Sequence, residues 1–271
     1  MKVLLTGASG YLGRAITSEL TGRGIDSAPL TDVSNRSFRL GSPPNQDQLQ
    51  KADVLIHLAW SRSRNLQQSE RLNVEGATGL LHACTTASTR FLFVSSYSVV
   101  FSPATRYARQ KGLIESMTLA AGGTVARIGL VWDENVIGGP LGGLVRLARM
   151  TPLVPLPTGR ERYVHIARLD DVAEAIVSLA LNDTNQGEVI HLSSPRPVAL
   201  ATLISCLASR KRLHFIRIPL RAILWGVAAS GALRLTNLTV DNARGLLDST
   251  AVADDLLGVL PQREVTDRED R

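Results

Sequence analysis

The sequence predicts an α/β fold, a doubly wound parallel sheet followed by a smaller, mostly helical C-terminal lobe. Three observations predict it. Apolar strand-like runs alternate with amphipathic helix-like ones through the first half of the chain, the pattern of β-α-β units. A glycine-rich string joins the first of those strands directly to the first helix. From Ala199 onward the apolar spacing is dominated by helices. A chain of 271 residues is long enough for one large domain with a lobe grown from it.

Taken in order, Lys2–Thr6 (KVLLT) is a short apolar strand, Gly7–Gly13 a turn, and Tyr11–Leu20 an amphipathic helix. Ile25–Leu30 reads as a second strand, weakened by Pro29. Asp53–Ala59 (DVLIHLA) is a third, apolar enough for burial on both faces. Asn73–Ala87 is helical, Arg90–Ser95 a fourth strand, Tyr107–Ala121 a helix and Thr124–Val131 a fifth strand. Residues 133–163, dense in glycine and proline (Gly138 and Gly139 to Gly159), have the texture of loops around a site. Asp170–Ala180 is an amphipathic helix opening on an acidic residue, and Glu188–Leu192 is another strand. These elements place a core in residues 1–131, completed by 166–195, and a lobe in 132–165 and 196–271. The charged tail, residues 263–271, is expected to fray.

Composition excludes several classes. With 44% hydrophobic and 20% charged residues the chain is neither disordered nor fibrous. Cys84 and Cys206 form no C-x-x-C pair, and no secretion signal precedes the first glycine, so a reduced, cytoplasmic protein is expected. The near-apolar run Ala222–Leu233 has 12 residues, against about 20 needed to span a bilayer, and reads as a buried or interface helix, with a membrane-surface role as the alternative. The net charge is +6, and 26 of 30 cations are arginine, whose planar fork suits phosphate. The densest basic stretch, Arg210–Arg212 with Arg217 and Arg221, is interrupted by apolar residues; neither a nucleic-acid nor a membrane partner is expected. The five histidines lack metal-ligand spacing, so no metal is expected. Trp60, Trp132 and Trp225 read as core, with a pocket lining as the alternative.

The string Thr6-Gly7-Ala8-Ser9-Gly10-Tyr11-Leu12-Gly13 sits between strand and helix. A strand feeding straight into a helix needs glycine for the turn. The helix N-terminus then offers N–H groups to a pyrophosphate, and a β-carbon at the closest approach would block it. That context predicts a dinucleotide site at Gly7, Ser9, Gly10, Tyr11, Leu12 and Gly13. At the end of the second strand, Asp32 suits the ribose hydroxyl of NAD, whereas Thr31, Ser34 and Arg36 suit the 2′-phosphate of NADP. Either cofactor fits.

Tyr107 and Lys111 lie at i and i+4, on one face of a helix. A phenol with a pKa near 10 is a poor base at neutral pH, and an ammonium nearby favours the phenolate. The preceding strand ends Val94-Ser95-Ser96-Tyr97-Ser98, where a hydroxyl can meet a substrate oxygen.

These motifs together resemble the extended short-chain dehydrogenases/reductases of the NAD-dependent epimerase/dehydratase family, which includes the sugar-nucleotide epimerases. TGASGYLG, the Asp53–Ala59 strand, Asn73-Val74-Glu75-Gly76, Ser95-Ser96 with Tyr107-x-x-x-Lys111 and Glu115, Arg127-Ile128-Gly129, Tyr163-Val164-His165 and Asp171-Val172-Ala173 all match family landmarks. The resemblance implies a Rossmann core binding NAD or NADP, with Leu58, Ala59 and Asn73 also at the cofactor. It implies Tyr107 as acid/base, Lys111 as the group that lowers its pKa and holds the nicotinamide ribose, and Ser96 as the substrate-orienting hydroxyl. Tyr97, Arg127, Arg160 and Arg162 become candidate substrate contacts. The helices around 73–87 and 107–121 would build a homodimer.

The leading expectation is therefore an epimerase or ketoreductase acting on a nucleotide sugar. Departures from the family pattern favour a second, an NADPH-dependent reductase of a small ketone or aldehyde. Only 11 positions separate Ser96 from Tyr107, Leu130 stands where many sugar-nucleotide enzymes place asparagine, and Glu161 stands where they place a phosphate-binding arginine. Ser96-Tyr97-Ser98 replaces the Thr-Asp-Glu of the dehydratases and lacks their acid pair. The register also admits Tyr97 or Ser98 at the hydroxyl position. A third reading, a non-catalytic NAD(P) sensor, fits poorly with an intact Tyr/Lys pair.

Overall fold

The computed structural model describes residues 1–61, 63, 65–133, 139–209, 212–232, 240–251 and 258–261. In chain order the elements begin β1 (Lys2–Thr6), α1 (Tyr11–Gly22), β2 (Asp26–Pro29), α2 (Gln46–Gln50), β3 (Val54–His57) and α3 (Leu66–Glu70). A π-turn at Arg71–Glu75 leads into α4 (Gly76–Ala87), followed by β4 (Arg90–Ser96), α5 (Ser98–Phe101), α6 (Arg106–Ala120), β5 (Thr124–Ile128) and β6 (Leu130–Trp132). Then come α7 (Gly139–Met150), β7 (Leu153–Pro157), β8 (Tyr163–Val164), β9 (Ile166–Arg168), α8 (Leu169–Leu181) and β10 (Val189–Leu192). The last are β11 (Val198–Ala199), α9 (Leu200–Ala208), β12 (His214–Ile218), α10 (Leu220–Ala232) and α11 (Val240–Leu247).

The chain forms two compact units. The first holds Met1–Ser96, Gln110–Ile128 and Leu169–Leu192. Its six-stranded sheet has the order β10-β5-β4-β3-β1-β2, every pair parallel. Strand order reverses between β1 and β3, and such a reversal opens a ligand-binding crevice at the strands' C-terminal ends. Val3–Leu5, Val54–Ile56, Phe91–Val94 and Val125–Ala126 are buried, as continuous apolar strands covered on both faces must be. Pro29, which lacks a ladder donor, is accommodated because β2 is an edge strand.

The second unit holds Tyr97–Arg109, Gly129–Arg168 and Ser193–Arg271. Its core gathers Trp132, Leu141, Val145, Val154, Leu156, Ile166, Leu200, Leu203, Ile204 and Leu246 around three two-stranded pairs, β8–β11, β7–β12 and β6–β9. Residues 97–109, which the sequence reading assigns to the core, group with this unit.

Several expectations need correcting. The fifth strand is broken at Gly129, where a β-carbon would lie 2.8 Å from the His165 carbonyl oxygen, and β6 pairs with β9 instead. Residues 133–163 are not loop alone: α7 and β7 lie there, because Leu141, Leu144, Val145 and Ala148 recur at helical spacing and are buried. The helix expected from Asn73 opens earlier, with α3 and the π-turn. Trp225 is not core but 79% exposed. Gly138, Arg210, Lys211, Leu233 and the charged tail lie outside the described residues. Among the described residues no helix is long and apolar enough to cross a membrane.

Candidate functional site

In the first unit, β1 runs into α1 across four residues. Gly7 has φ +72° and its carbonyl accepts from the Gly10 N–H at 2.9 Å. A β-carbon on Gly7 would stand 2.9 Å from the Ala59 nitrogen, and one on Gly13 would lie 2.8 Å from the Ala8 Cα and closer still to the Gly7 carbonyl oxygen. Backbone presses on both glycines, so neither admits a side chain. Gly10, at the start of α1, makes no side-chain cap bond, leaving the first-turn N–H groups to an anion. Gly7, Ser9 and Gly10 are exposed, Tyr11 and Leu12 half-buried. This cradle fits a pyrophosphate.

Thr6, not singled out in the sequence, pins the turn. Its Oγ1 accepts from the N–H groups of Leu58 and Ala59, each at 3.1 Å, and lies 2.7 Å from His57 Nδ1. The structure thereby brings Leu58 and Ala59 against the glycine turn. Burial, with the nearby Lys111 charge second, pushes the His57 pKa down to about 3; the ring is a neutral structural group packed by Phe91 and Phe93.

At the end of β2, Asp32 Oδ1 accepts from the N–H groups of Ser34 at 2.8 Å and Arg36 at 3.0 Å, the Asx-turn alternative to a ribose contact. Thr31 donates from both its N–H and its hydroxyl to Gln48 Oε1. The Arg36 side chain is exposed.

Asn73 is buried inside the π-turn, a geometry that recurs at functional positions. Its Oδ1 accepts from the Ser61 N–H at 2.7 Å, and its Nδ2 faces the Ser61 carbonyl, Ser69 Oγ and Gln110 Oε1. It brackets the loop after β3 to α6. Gln110 is a second member of this network that the sequence did not mark.

The Lys111 amine is the most unusual charge in the unit. Lys111 is 4% exposed, donates to the Val94 carbonyl at 2.7 Å, and lies 4.4 Å and 4.5 Å from the Trp60 and Phe93 ring centres. Burial lowers its pKa to about 7, partly offset by Glu115. The rings recover part of the lost hydration. Ser96 ends the same strand, opposite Ile128. Arg127 is held bidentately by the buried Glu115 carboxylate, with Nε 2.9 Å from Oε1; its fork is committed inside the protein.

In the second unit, Tyr97 is buried, stacks on Phe101 and His165, and hydrogen-bonds Ser193 Oγ at 2.8 Å. The start of α6 is held from two sides. Thr105 Oγ1 accepts from the Ala108 N–H at 3.2 Å, a side-chain N-cap. Asp241, from α11, accepts from the N–H groups of Arg106 and Tyr107 through its two oxygens at 3.0 and 3.2 Å. A threonine before a helical run is readable from sequence; Asp241, 134 residues from Tyr107, has no local signal. Tyr107 and Lys111 are one turn apart on α6. Arg160 donates to the Ser249 carbonyl at 3.2 Å and Arg162 to the Leu247 carbonyl at 2.8 Å.

Comparison with known proteins follows the same outline. Residues 3–128 match the model of the NAD dependent epimerase/dehydratase family. The ceramide reductase of Caulobacter vibrioides is 30% identical over 196 residues, 65% of this chain and 60% of that protein. The chain thus spans less than two thirds of that curated relative, and 23% of an uncharacterized Mycobacterium tuberculosis protein to which it is 24% identical over 221 residues. Among solved structures, Pal from Bacillus thuringiensis superposes with a TM-score of 0.65 at 16% identity, over 94% of this chain and 96% of that one. The UDP-glucose 4-epimerase of Thermotoga maritima, solved with UDP-glucose, gives 0.62 at 18% identity over 81% and 86%. At such identities the structures establish the fold: a Rossmann α/β sheet.

Proposed function

We propose, from the match of residues 3–128 to the NAD dependent epimerase/dehydratase family model, that the chain is a member of that family and an NAD(P)-dependent oxidoreductase interconverting a carbonyl compound and its alcohol. The observation that carries this is α6, with Tyr107 and Lys111 one turn apart and the Lys111 amine buried over two aromatic rings. The nicotinamide, when bound, supplies or takes up the hydride. Tyr107 Oη gives its proton to the carbonyl oxygen during reduction and takes it back during oxidation. Lys111, when charged, makes the phenolate accessible near neutral pH. Ser96 Oγ donates to the same substrate oxygen and fixes its position. The N–H groups of Ser9, Tyr11 and Leu12 would hold the pyrophosphate, beside Gly7, Gly10, Gly13, Leu58, Ala59 and Asn73. With Asp32 Oδ1 engaged by its own loop and Arg36 exposed, the ribose end favours NADP.

A small ketone or aldehyde is the substrate class best supported. Arg127 is committed to Glu115, and Arg160 and Arg162 each spend a donor on backbone carbonyls, which weakens the diphosphate contacts a nucleotide sugar would use. The Caulobacter relative's name adds a ceramide-class substrate to those worth testing. The second reading, an epimerase acting on a nucleotide sugar, draws on the Thermotoga enzyme solved with UDP-glucose and on the exposed Arg160. A homodimer through α4 and α6 accompanies either reading, supported by Leu113 standing 51% exposed on α6.

The test is NADPH absorbance during incubation with small ketones, a ceramide-class substrate and UDP-glucose. Net NADPH loss matching alcohol formed is expected, with Tyr107→Phe slower by at least about 100-fold. Full activity in Tyr107→Phe would remove the proposed acid/base. Turnover of UDP-glucose without net absorbance change would select the epimerase reading.

A further inference from the structure

The helix α10 is apolar on both sides. Its inward stripe, Leu220, Ile223, Leu224 and Val227, follows i, i+3, i+4 and i+7 and joins the second unit's core through Leu220 and Ile223, with Leu224 buried. The opposite side should then be polar. Instead Ala222, Trp225, Gly226, Ala228 and Ala229 are exposed there, Trp225 by 79%, and Arg221 is the one charged residue among those described on the helix. The strands just before it continue the pattern. β12 and β7 pair with His214 beside Leu153 and Ile216 beside Pro155; Leu153 is 48% exposed and Ile216 43%.

The charge along this stretch of the sequence is one-sided. The 52 residues between Glu188 and Asp241 contain seven lysines and arginines and not one aspartate or glutamate. That excess is larger than the +6 of the whole chain, so all of the protein's net positive charge resides in this stretch. Arg196, Arg212, Arg217 and Arg221 are exposed.

We propose that α10 and the β12 edge form a docking face for an anionic lipid surface, with α10 lying in the plane of the headgroups. An apolar helix of 13 residues is about 20 Å long, too short to cross a bilayer and suited to lying on one. Tryptophan and arginine are the side chains that partition to that boundary. A second copy fits less well, because α10 carries Arg221 and no acid among its described residues, so the helix offers a copy of itself no charge complement. Duplex phosphates would satisfy the arginines and leave Trp225, Ile216 and Leu153 in water. The face departs from the sequence expectation of no membrane partner. It is also independent of the proposed reaction.

The test is flotation of the full-length protein with phosphatidylcholine vesicles, with and without about 30% phosphatidylglycerol. Flotation with the anionic vesicles only, reversed by high salt, is expected. Trp225→Ser and Arg221→Glu should each weaken partitioning about tenfold with an unchanged melting temperature, since both side chains are exposed. Equal flotation with both vesicle types, or none, would overturn the proposal. So would wild-type partitioning by both variants, or self-association without lipid that Trp225→Ser abolishes. Duplex DNA binding that Trp225→Ser leaves intact, without vesicle binding, would likewise overturn it.

Discussion

The two units hold their candidate functional groups by different means. In the first, the glycine turn is shaped by backbone against backbone: Gly7 against Ala59, and Gly13 against Ala8 and the Gly7 carbonyl. In the second, long-range side chains do the holding. Asp241 anchors the start of α6, and Ser102 and Thr250 tie the segment before it to Gly245 and Phe101. A backbone-made site tolerates no added atom but is indifferent to most distant substitutions. A side-chain-made site should degrade by degrees.

The largest expected effect breaks that comparison at a single methyl group. Gly13→Ala places a carbon inside contact distance of backbone that has no room to move. It should abolish dinucleotide binding, read by NADPH fluorescence, and cost several kcal/mol in urea unfolding, in the range of severe overpacking. Gly226→Ala on α10 makes the same chemical change in open space and should stabilise the protein by about 0.5–1 kcal/mol. Intact cofactor binding in Gly13→Ala would mean the turn is softer than its contacts require.

Within the first unit, Lys111 is the exception: a side chain rather than backbone at the strand ends. Its pKa of about 7 lies below the unfolded value near 10.5. Between those values the unfolded chain binds the additional proton, so stability should rise with pH through this window. Below pH 7 the full burial cost is present, up to about 5 kcal/mol. Lys111→Met should therefore be the more stable protein at pH 6, less about 1 kcal/mol for the lost bond to Val94. The advantage should vanish by pH 10.5 while catalysis is lost throughout. Parallel urea-unfolding profiles for the two proteins between pH 6 and 10 would contradict the burial cost.

This division also decides what could be read from the sequence. Gly7, Gly10 and Gly13, the apolar strands and the Tyr107/Lys111 spacing are local patterns, and the parallel sheet and the match of residues 3–128 to the family model agree with them. The apolar cage of Lys111 was not readable, because Trp60 comes from the segment after β3 and Phe93 from the middle of β4. Nor was the engagement of Arg127 by Glu115, which sits 12 residues upstream on a different element. The residues 133–163 were misread because glycine and proline outweighed the buried helical spacing of Leu141 to Ala148. Trp225 misled in the opposite direction, since apolar character alone does not say which face a helix buries.

The smallest expected effect tests whether the second unit's side chains position chemistry or merely stabilise the chain. Asp241 satisfies two N–H groups at the start of α6, one of them belonging to Tyr107. Removing a carboxylate from a helix N-terminus costs about 1–2 kcal/mol, so Asp241→Ala should unfold at slightly lower urea. A stabilising role alone would leave the kinetics of the folded protein untouched. A positioning role predicts more: kcat falling several-fold because the first turn carrying Tyr107 loosens, with the KM for NADPH unchanged because the glycine turn is unaffected. Asp241→Asn, which retains an acceptor oxygen, should recover most of kcat. If Asp241→Ala lowers stability while kcat and KM both stay at wild-type values, Thr105 alone suffices to place Tyr107, and the distinction between the two units lies in stability rather than in catalysis.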